Sequence, residues 1–271
     1  FKQKTAYEML RSLVGSEMCI RDSINYFNTH QFDIVVNCAA YTAVDKAESE
    51  EKEANIINHI AIEQIALVLK NKKTKLIHIS TDYIFDGEGS KPYKENDPPN
   101  PINVYGRTKL LGELAIINNM PNNALIIRTS WLYSEFNVNF VTSMLRLGSE
   151  RNQLSIVSDQ IGAPTYAVDL AKTILTITQN ETFIKPNQPT QIYHYSNLGS
   201  CSWFDFAKKI FELANINCKI SPIKTKDFDS QAKRPLFSIM NKDKILNTFD
   251  LNISNWKESL NDCIKEIIKT T

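Results

Sequence analysis

The stretch "DIVVNCAA", residues 33–40, is a short and mostly apolar run with no regular alternation of polar residues. Such a run is typical of a strand that is buried on both faces, as strands are in a parallel sheet. A helical spacing of apolar residues follows over residues 56–69, and "KLIHIS", residues 75–80, is a second strand of the same kind. A further helical pattern over residues 104–119 leads to a third strand, "ALIIRTS", residues 124–130. The alternation predicts an α/β fold with a Rossmann-like, doubly wound parallel sheet.

The second half of the chain is less regular. The runs "LSIVS", residues 154–158, and "IYHYS", residues 192–196, are predicted strands. Apolar residues keep a helical spacing over residues 204–214 and again over residues 255–269. These patterns predict a smaller C-terminal α/β portion that packs against the sheet.

Residues 1–32 do not match what such a sheet requires at its start. One βαβ unit takes about 30 residues, and a dinucleotide-binding βαβαβ half needs roughly twice that length. No G-x-G-x-x-G sequence is present, and Gly15 is the only glycine before Asp33. We therefore expect that this segment is atypical, that the chain is a fragment or has a non-native N-terminus, and that the sheet lacks its first strands.

The composition excludes several classes of protein. The chain has 271 residues and a formal net charge of +1, so no basic field indicates a nucleic-acid partner. Its longest apolar runs have the length of strands and are too short to span a membrane. The five cysteines are scattered, which disfavours a disulfide framework or a zinc knuckle. These features indicate a cytoplasmic protein with reduced thiols, and we assign no metal site.

The segment "NVYGRTKLLGE", residues 103–113, places Tyr105 and Lys109 one helical turn apart. Residues at i and i+4 share a helix face, so both side chains can act at one site. A free phenol has a pKa near 10, and a neighbouring cation lowers that pKa, which makes the phenol a better proton donor. For the Y-x-x-x-K spacing alone, a buried tyrosine beside a solvated lysine is the commoner explanation. Thr81, at the end of "KLIHIS", adds a hydroxyl that can bind the same substrate oxygen.

The arrangement of Thr81, Tyr105 and Lys109 resembles the extended short-chain dehydrogenase/reductase family. Within that family, six segments are together similar to the dTDP-4-dehydrorhamnose reductases: "VVNCAAYTAVDKAESE", "STDYIFDG", "NVYGRTKLLGE", "IIRTSWLY", "NFVTSMLRL" and "DQIGAPT". The resemblance begins at about residue 33 and weakens after about residue 171. Each segment alone is a weak signal, whereas the joint match is specific.

The resemblance implies an NADPH- or NADH-dependent reductase that converts dTDP-4-dehydro-6-deoxy-L-mannose, a dTDP-sugar, to dTDP-L-rhamnose. Tyr105 is then the proton donor to the C4 carbonyl oxygen, Lys109 binds the nicotinamide ribose and tunes the phenol, and Thr81 shares the oxyanion stabilisation. The resemblance also implies contacts with both ligands. The cofactor contacts are Ala40, Tyr41, Thr42, Tyr105 and Lys109, and the substrate contacts are Thr81, Asp82, Trp131 and Arg234.

The same resemblance divides the chain into a partial NAD(P)-binding Rossmann domain over residues 33–150 and a mainly substrate-binding portion over residues 151–271. Because a glycine-rich turn is missing, we expect the chain as written to be catalytically silent. Three alternatives stay open: Trp131 can be plain core, Arg234 can form a surface ion pair, and the protein can be a non-catalytic NADP-binding subunit like the regulatory subunit of methionine adenosyltransferase. The sequence also leaves open whether the protein forms a homodimer.

Overall fold

The computed structural model describes residues 17–270, and expectations for residues 1–16 lie outside the described residues. Helices and strands alternate along the chain as the sequence predicts, and a π-helical turn at Ile56–Ile60 precedes the fourth helix. In chain order, the elements are α1 (Glu17–Thr29), β1 (Ile34–Asn37), α2 (Val44–Ala47), α3 (Glu51–Asn55), α4 (Ala61–Leu69), β2 (Lys75–Thr81), α5 (Val104–Asn119), β3 (Ala124–Thr129), β4 (Leu132–Tyr133), α6 (Phe140–Glu150), β5 (Gln153–Val157), β6 (Ile161–Gly162), β7 (Thr165–Tyr166), α7 (Ala167–Gln179), α8 (Glu181–Ile184), β8 (Gln191–His194), β9 (Cys201–Ser202), α9 (Trp203–Ala214), β10 (Lys219–Ile223), α10 (Asp243–Phe249) and α11 (Trp256–Thr270).

Four parallel strands form the central sheet, in the order β1-β2-β3-β8. Val36 in β1 lies opposite Ile77 in β2, and Ile77 in turn lies opposite Leu125 in β3. Strand β8 continues the sheet on the far side, with Gln191 opposite Leu125. Parallel neighbours need crossover connections, and helices provide them here. The predicted Rossmann-like parallel sheet is confirmed.

Different helices cover the two faces of this sheet. On one face, Leu76 and Ile126 pack with buried residues of α4 and α5. On the other face, Ile77 and Ile127 pack with buried residues of α7 and α10. Since successive residues of a strand point to opposite faces, the continuous apolar runs of β2 and β3 supply both cores at once.

After residue 150, the elements do not all belong to one structural layer, although they follow one another along the chain. Strand β8 and helices α7 and α10 come from the second half of the chain but belong to the main sheet and its cover. A separate layer consists of the parallel pair β5 and β10 with helices α6, α9 and α11. Its core is rich in aromatic side chains, among them Tyr133, Tyr166, Phe206 and Trp256.

Helix α1 occupies part of the segment for which the sequence predicts no element. Phe27 packs with buried residues of α4, and Lys72 Nζ donates a hydrogen bond to the Phe27 carbonyl oxygen. Within the described residues, β1 pairs only with β2, and Val36 on this edge strand is 41% exposed. An apolar edge is a template for further strand pairing. The first strands that we expect to be missing would extend the sheet at this edge.

Candidate active site

Polar segments follow the carboxyl ends of three neighbouring strands, where parallel sheets of this type bind their ligands. Residues 38–42 follow β1, Asp82 follows β2, and Trp131 comes shortly after β3. Helix α5 starts at the same edge, with Tyr105 as its second residue. The fold therefore gathers the predicted site residues of the first half of the chain at one edge of the sheet.

The first turn of α5 is anchored from several sides. Asn103 caps the helix, because its Oδ1 accepts a hydrogen bond of 2.7 Å from Gly106 N. Glu48 adds a second cap, since its Oε1 accepts a hydrogen bond of 2.9 Å from Val104 N. The Tyr83 carbonyl approaches Gly106 so closely that any Cβ there would overlap it. Glycine at this position allows the segment after β2 to lie directly against the helix.

Tyr105 lies partly buried beside the segment that follows β2. Its ring meets the Tyr83 ring edge to face, with centroids 5.7 Å apart and planes at 77°. Burial raises the pKa of Tyr105 to about 12, the Thr81 hydroxyl lowers it as a hydrogen-bond donor, and the Asp82 charge raises it. At neutral pH the phenol therefore holds its proton.

Lys109 follows Tyr105 by one turn, and its ammonium is tied to the sheet. Lys109 Nζ donates a hydrogen bond of 2.7 Å to the Ile79 carbonyl oxygen. Burial lowers the pKa of Lys109 to about 8, whereas the charges of Glu113 and Cys38 act in the opposite direction. Lys109 is not among the groups that shift the pKa of Tyr105 in this structure. Tuning of the phenol by Lys109 stays a prediction.

Glu113 follows Lys109 by one helical turn on α5 and was not among the site residues predicted from the sequence. It is fully buried, and its Oε1 and Oε2 accept hydrogen bonds from Arg128 Nε at 3.0 Å and Arg128 Nη2 at 2.7 Å. Ser80 Oγ also donates to Glu113 Oε1. A buried charge needs such pairing, and the carboxylate favours the charged form of Lys109. The signal for Glu113 is its spacing, because Tyr105, Lys109 and Glu113 recur at i, i+4 and i+8 on α5.

Asp82 is buried directly behind Thr81. Asp82 Oδ1 lies 3.2 Å from Thr81 Oγ1, whereas Asp82 Oδ2 has no hydrogen-bond partner within the described residues. Burial raises the pKa of Asp82 to about 7, and the Ser238 and Thr81 side chains act in the opposite direction. The structure thus brings the predicted Asp82, Thr81 and Tyr105 together and adds Ser238, which lies far along the chain and carries no sequence signal.

The segment after β1 is held in place by Asn58 of the π-helical turn. Tyr41 N donates a hydrogen bond of 2.8 Å to Asn58 Oδ1, and Asn58 Nδ2 donates one of 3.1 Å to the Tyr41 carbonyl oxygen. The Tyr41 hydroxyl donates to Glu50. These bonds fix the backbone between Ala40 and Thr42, the segment of the predicted cofactor contacts, at the edge that Lys109 also faces.

Trp131 has a backbone φ of 48°, which is a strained conformation for a bulky residue. Its ring stacks on Trp203, with centroids 3.6 Å apart and planes at 9°, and Gly162 lies against the same ring. Trp203 Nε1 in turn donates a hydrogen bond of 3.2 Å to Gln160 Oε1. Trp131 therefore takes part in packing, and its contact with the substrate stays a prediction. Trp203, which supports it, was not selected from the sequence.

Arg234 forms a two-point ion pair with Asp45 of α2. Arg234 Nη1 lies 3.0 Å from Asp45 Oδ1, and Arg234 Nη2 lies 2.5 Å from Asp45 Oδ2. The hydrogen bond from Arg234 is the main reason that the pKa of Asp45 lies below its usual value. Arg234 also acts on Tyr83, so the pair borders the site. The structure contains the ion pair that the sequence leaves open, and pairing with a pyrophosphate stays a prediction.

The residues of this site fit the nicotinamide-ribose end of a dinucleotide. A buried ammonium, a protonated phenol and a fixed backbone segment lie side by side at the strand ends. Between residues 17 and 270, no glycine-rich turn joins a strand to a helix at this edge. The pyrophosphate end of such a cofactor normally relies on a turn of this kind.

The parallel sheet and the Thr81, Tyr105 and Lys109 constellation at its carboxyl edge define an NAD(P)-dependent oxidoreductase of the short-chain dehydrogenase/reductase class. The family model described as "RmlD substrate binding domain" matches residues 20–269. The chain belongs to this family, the family of the dTDP-4-dehydrorhamnose reductases.

Three relatives illustrate the similarity. The chain is 41% identical over 231 residues to a dTDP-4-dehydrorhamnose reductase of Sinorhizobium fredii, a match that covers 84% of this chain and 78% of the relative. It is 39% identical over 248 residues to the Escherichia coli protein of the same name, covering 88% and 81%. A crystal structure of dTDP-4-dehydrorhamnose reductase from Bacillus anthracis in complex with NADP has a TM-score of 0.84 and 40% identity, covering 91% of this chain and 85% of that chain. These matches confirm the predicted family and fold.

Proposed function

We propose that this protein reduces the C4 carbonyl of dTDP-4-dehydrorhamnose (dTDP-4-dehydro-6-deoxy-L-mannose) to give dTDP-L-rhamnose, with NADPH as the reductant. This reaction is a step of dTDP-rhamnose biosynthesis. The observation that carries the proposal is the placement of Thr81, Tyr105 and Lys109 at one edge of the sheet in a chain of this family.

Tyr105 supplies the proton that the carbonyl oxygen needs once NADPH, when bound, has provided the hydride. Burial raises the pKa of Tyr105 to about 12, so at neutral pH the phenol carries its proton and gives it up only to a strong base. An alkoxide is a much stronger base than a phenolate, so proton transfer to the substrate oxygen is downhill. The Thr81 hydroxyl, beside the phenol, donates a hydrogen bond to the same oxygen and stabilises its developing charge.

Lys109 positions the nicotinamide ribose through its ammonium. The pKa of about 8 keeps most of the ammonium charged at neutral pH. The hydrogen bond to the Ile79 carbonyl fixes where that charge lies, and the fixed backbone from Ala40 to Thr42 supplies further contacts to the cofactor.

The substrate side of the site combines an aromatic surface with a cation. Trp131 offers indole surface to the nucleotide sugar, and Trp203 holds the ring in place by stacking. Arg234 has the planar guanidinium that suits a pyrophosphate, and Asp45 keeps it at the border of the site. Asp82 lies behind Thr81 on the same side.

A non-catalytic NADP-binding subunit is not favoured. A pure binding function needs neither a phenol beside a hydroxyl nor a buried ammonium, yet all three groups are retained and clustered. The Sinorhizobium fredii and Escherichia coli relatives also carry reductase names.

The proposed location is the cytoplasm. Among residues 17–270, no helix has the length and apolar character that crossing a bilayer requires. Cys38, Cys201, Cys218 and Cys263 are free thiols, which supports a reducing compartment.

The function is tested with the full-length protein, NADPH and dTDP-4-dehydrorhamnose. We expect loss of NADPH absorbance that depends on the nucleotide sugar, with dTDP-L-rhamnose identified by NMR as the product. Tyr105→Phe serves as the matched control, since it removes only the donating hydroxyl. Binding of NADPH by the wild type without any sugar-dependent oxidation would overturn the proposal and favour the binding subunit.

A further inference from the structure

Gln160 lies between Trp203 and Thr225 and is hidden from solvent. Only 4% of the residue is exposed. Gln160 Oε1 accepts a hydrogen bond of 3.2 Å from Trp203 Nε1, and Gln160 Nε2 donates one of 3.1 Å to Thr225 Oγ1. Both ends of the amide are therefore engaged, and the side chain is too deeply buried to bind a ligand itself.

The partners of Gln160 leave its amide only one orientation. An indole N–H is a donor only, so the Gln160 carbonyl must face Trp203. The Gln160 amino group then faces Thr225, whose hydroxyl donates its own proton to Asp159 Oδ1 at 2.7 Å. Thr225 N donates to the same carboxylate oxygen at 2.8 Å. Since an ionised carboxylate only accepts hydrogen bonds, Asp159 fixes the direction of the whole chain of donors.

This chain of hydrogen bonds ends on the aromatic pair of the substrate side. Trp203 is the first residue of α9, and the pairing of β6 with β9 brings the start of that helix next to Gln160. The Trp203 ring stacks on Trp131 with planes at 9°, and Phe140 meets Trp203 at 46°. A stacked ring can still slide in its own plane, and a directional hydrogen bond at Nε1 opposes that motion. Gln160 thus fixes the ring on which Trp131 rests.

Trp131 depends on this support because its backbone is strained. Its φ of 48° is unfavourable for a bulky residue, and such a conformation persists only where the surroundings hold it. Gly162, two residues after Gln160, leaves the room that the indole ring occupies. One short segment, "DQIG" at residues 159–162, therefore makes space for Trp131 and also orients the ring that stacks on it.

We propose that Gln160 is a positioning residue for nucleotide-sugar recognition and acts through Trp203 on Trp131, an inference that rests on the proposed function. Gln160 sets the place of the Trp203 ring, and Trp203 holds the Trp131 ring where the nucleotide sugar meets it. The predicted NADPH contacts belong to α5 and to residues 40–42, outside this chain of hydrogen bonds. The role therefore concerns binding of the nucleotide sugar, not proton transfer or binding of NADPH.

The test is Gln160→Met in the full-length protein, which keeps the length of the side chain and removes both hydrogen bonds. KM for dTDP-4-dehydrorhamnose should rise by about three- to tenfold, the effect of losing one positioning hydrogen bond. The kcat and the Kd for NADPH should each change by less than about twofold. Circular dichroism gives a second readout, because two stacked indoles couple their electronic transitions. That coupled signal should weaken in Gln160→Met and vanish in Trp203→Phe.

Ser158→Ala is the matched control for this experiment. Ser158 Oγ donates a hydrogen bond of 3.1 Å to the Ile223 carbonyl oxygen, so it also ties the segment after β5 to the end of β10, by a bond outside the chain to Trp203. Both variants should lose a similar amount of stability in urea. Ser158→Ala should nevertheless leave KM and the circular-dichroism signal unchanged.

A double-mutant cycle shows whether Gln160 acts through Trp203. Trp203→Phe keeps an aromatic ring but lacks the N–H donor, so it should raise KM by itself. Adding Gln160→Met to Trp203→Phe should raise KM no further, because the shared hydrogen bond is already lost. Trp203→Phe also tests that hydrogen bond from its other end if Gln160→Met does not fold.

Three results would overturn the proposal. An unchanged KM in a folded Gln160→Met would leave the residue with a packing role alone. A loss of kcat or of NADPH binding as large as the rise in KM would make the effect global, and additive rises in KM in the double variant would mean that Gln160 does not act through Trp203. A wild type that never oxidises NADPH with this sugar would instead contradict the proposed function, while circular dichroism of the variants would still test the link between Gln160 and Trp203.

Discussion

Gly162→Ala should displace Trp131 and weaken recognition of the nucleotide sugar. An alanine Cβ would lie 2.6 Å from Trp131 Cε2 and 2.7 Å from its Cζ2, whereas ordinary van der Waals contact begins at 3.4 Å. The indole must therefore move by about 0.8 Å, the difference between the first and last of these distances. Trp203 already stacks on Trp131 with centroids 3.6 Å apart, so the ring cannot retreat in that direction.

The size of the effect follows from this displacement. Overpacking of a buried contact costs about 1–3 kcal/mol of stability. A misplacement on the order of 1 Å at a positioning group lowers the rate by as much as about 10²-fold. We expect kcat/KM for the nucleotide sugar to fall between about 10- and 100-fold, while the Kd for NADPH changes by less than about twofold.

Gly148→Ala is the matched control for this experiment. Its Cβ would lie 2.7 Å from Phe211 Cε1, so the same substitution presses on an aromatic ring in the core of the C-terminal layer. Urea denaturation should show a loss of stability in both variants, whereas steady-state kinetics and NADPH titration should show a selective loss of sugar recognition in Gly162→Ala alone. Equal kinetic losses in both, or an unchanged kcat/KM in a destabilised Gly162→Ala, would refute the argument that Trp131 contacts the substrate.

Three further variants probe other parts of the site. Tyr105→Phe should lower kcat by about 10²–10⁴-fold with little change in KM or NADPH binding, and retention of more than about half the turnover would remove Tyr105 from the mechanism. Trp131→Ala should weaken nucleotide-sugar binding more than NADPH binding in calorimetric titrations, and equal losses would mark it as core packing alone. Glu113→Gln leaves the Arg128 charge buried and unpaired, so the free energy of unfolding should fall by about 3–5 kcal/mol in urea, and a loss below about 1 kcal/mol would show that the pair is dispensable.

Much of the fold follows from local sequence patterns. The apolar runs that became β1, β2 and β3 have the length and composition of buried parallel strands, and the intervening helical spacing fits α4 and α5. The spacing of apolar residues and the length of an apolar run are properties of a short stretch of sequence, so they can be recognised without knowledge of the rest of the chain. Helix α1 is the exception, because only its contacts with α4 reveal that Phe27 is partly buried.

The proposed catalytic groups are partly predictable from local patterns in the same way. Tyr105 and Lys109 lie one turn apart on α5, and Thr81 ends β2, so helix geometry and the rule for strand ends predict that they meet. Glu113 was equally accessible through its spacing on the same helix. These positions depend on distances along one element, which the sequence contains.

The remaining features of the site arise only in three dimensions. Three contacts of the site join residues that are far apart along the chain: Ser238 with Asp82, Arg234 with Asp45, and Trp203 with Trp131. A local spacing of residues cannot predict such contacts. The protonation of Asp82, Tyr105 and Lys109 likewise depends mainly on burial, which is a property of the packed molecule. The sequence by itself thus determined the sheet, the helix that carries the phenol and the ammonium, and their family. Only the tertiary structure decided that burial raises the pKa of Asp82 and that Arg234 is already paired with Asp45, because desolvation and long-range contacts exist only after the chain has folded.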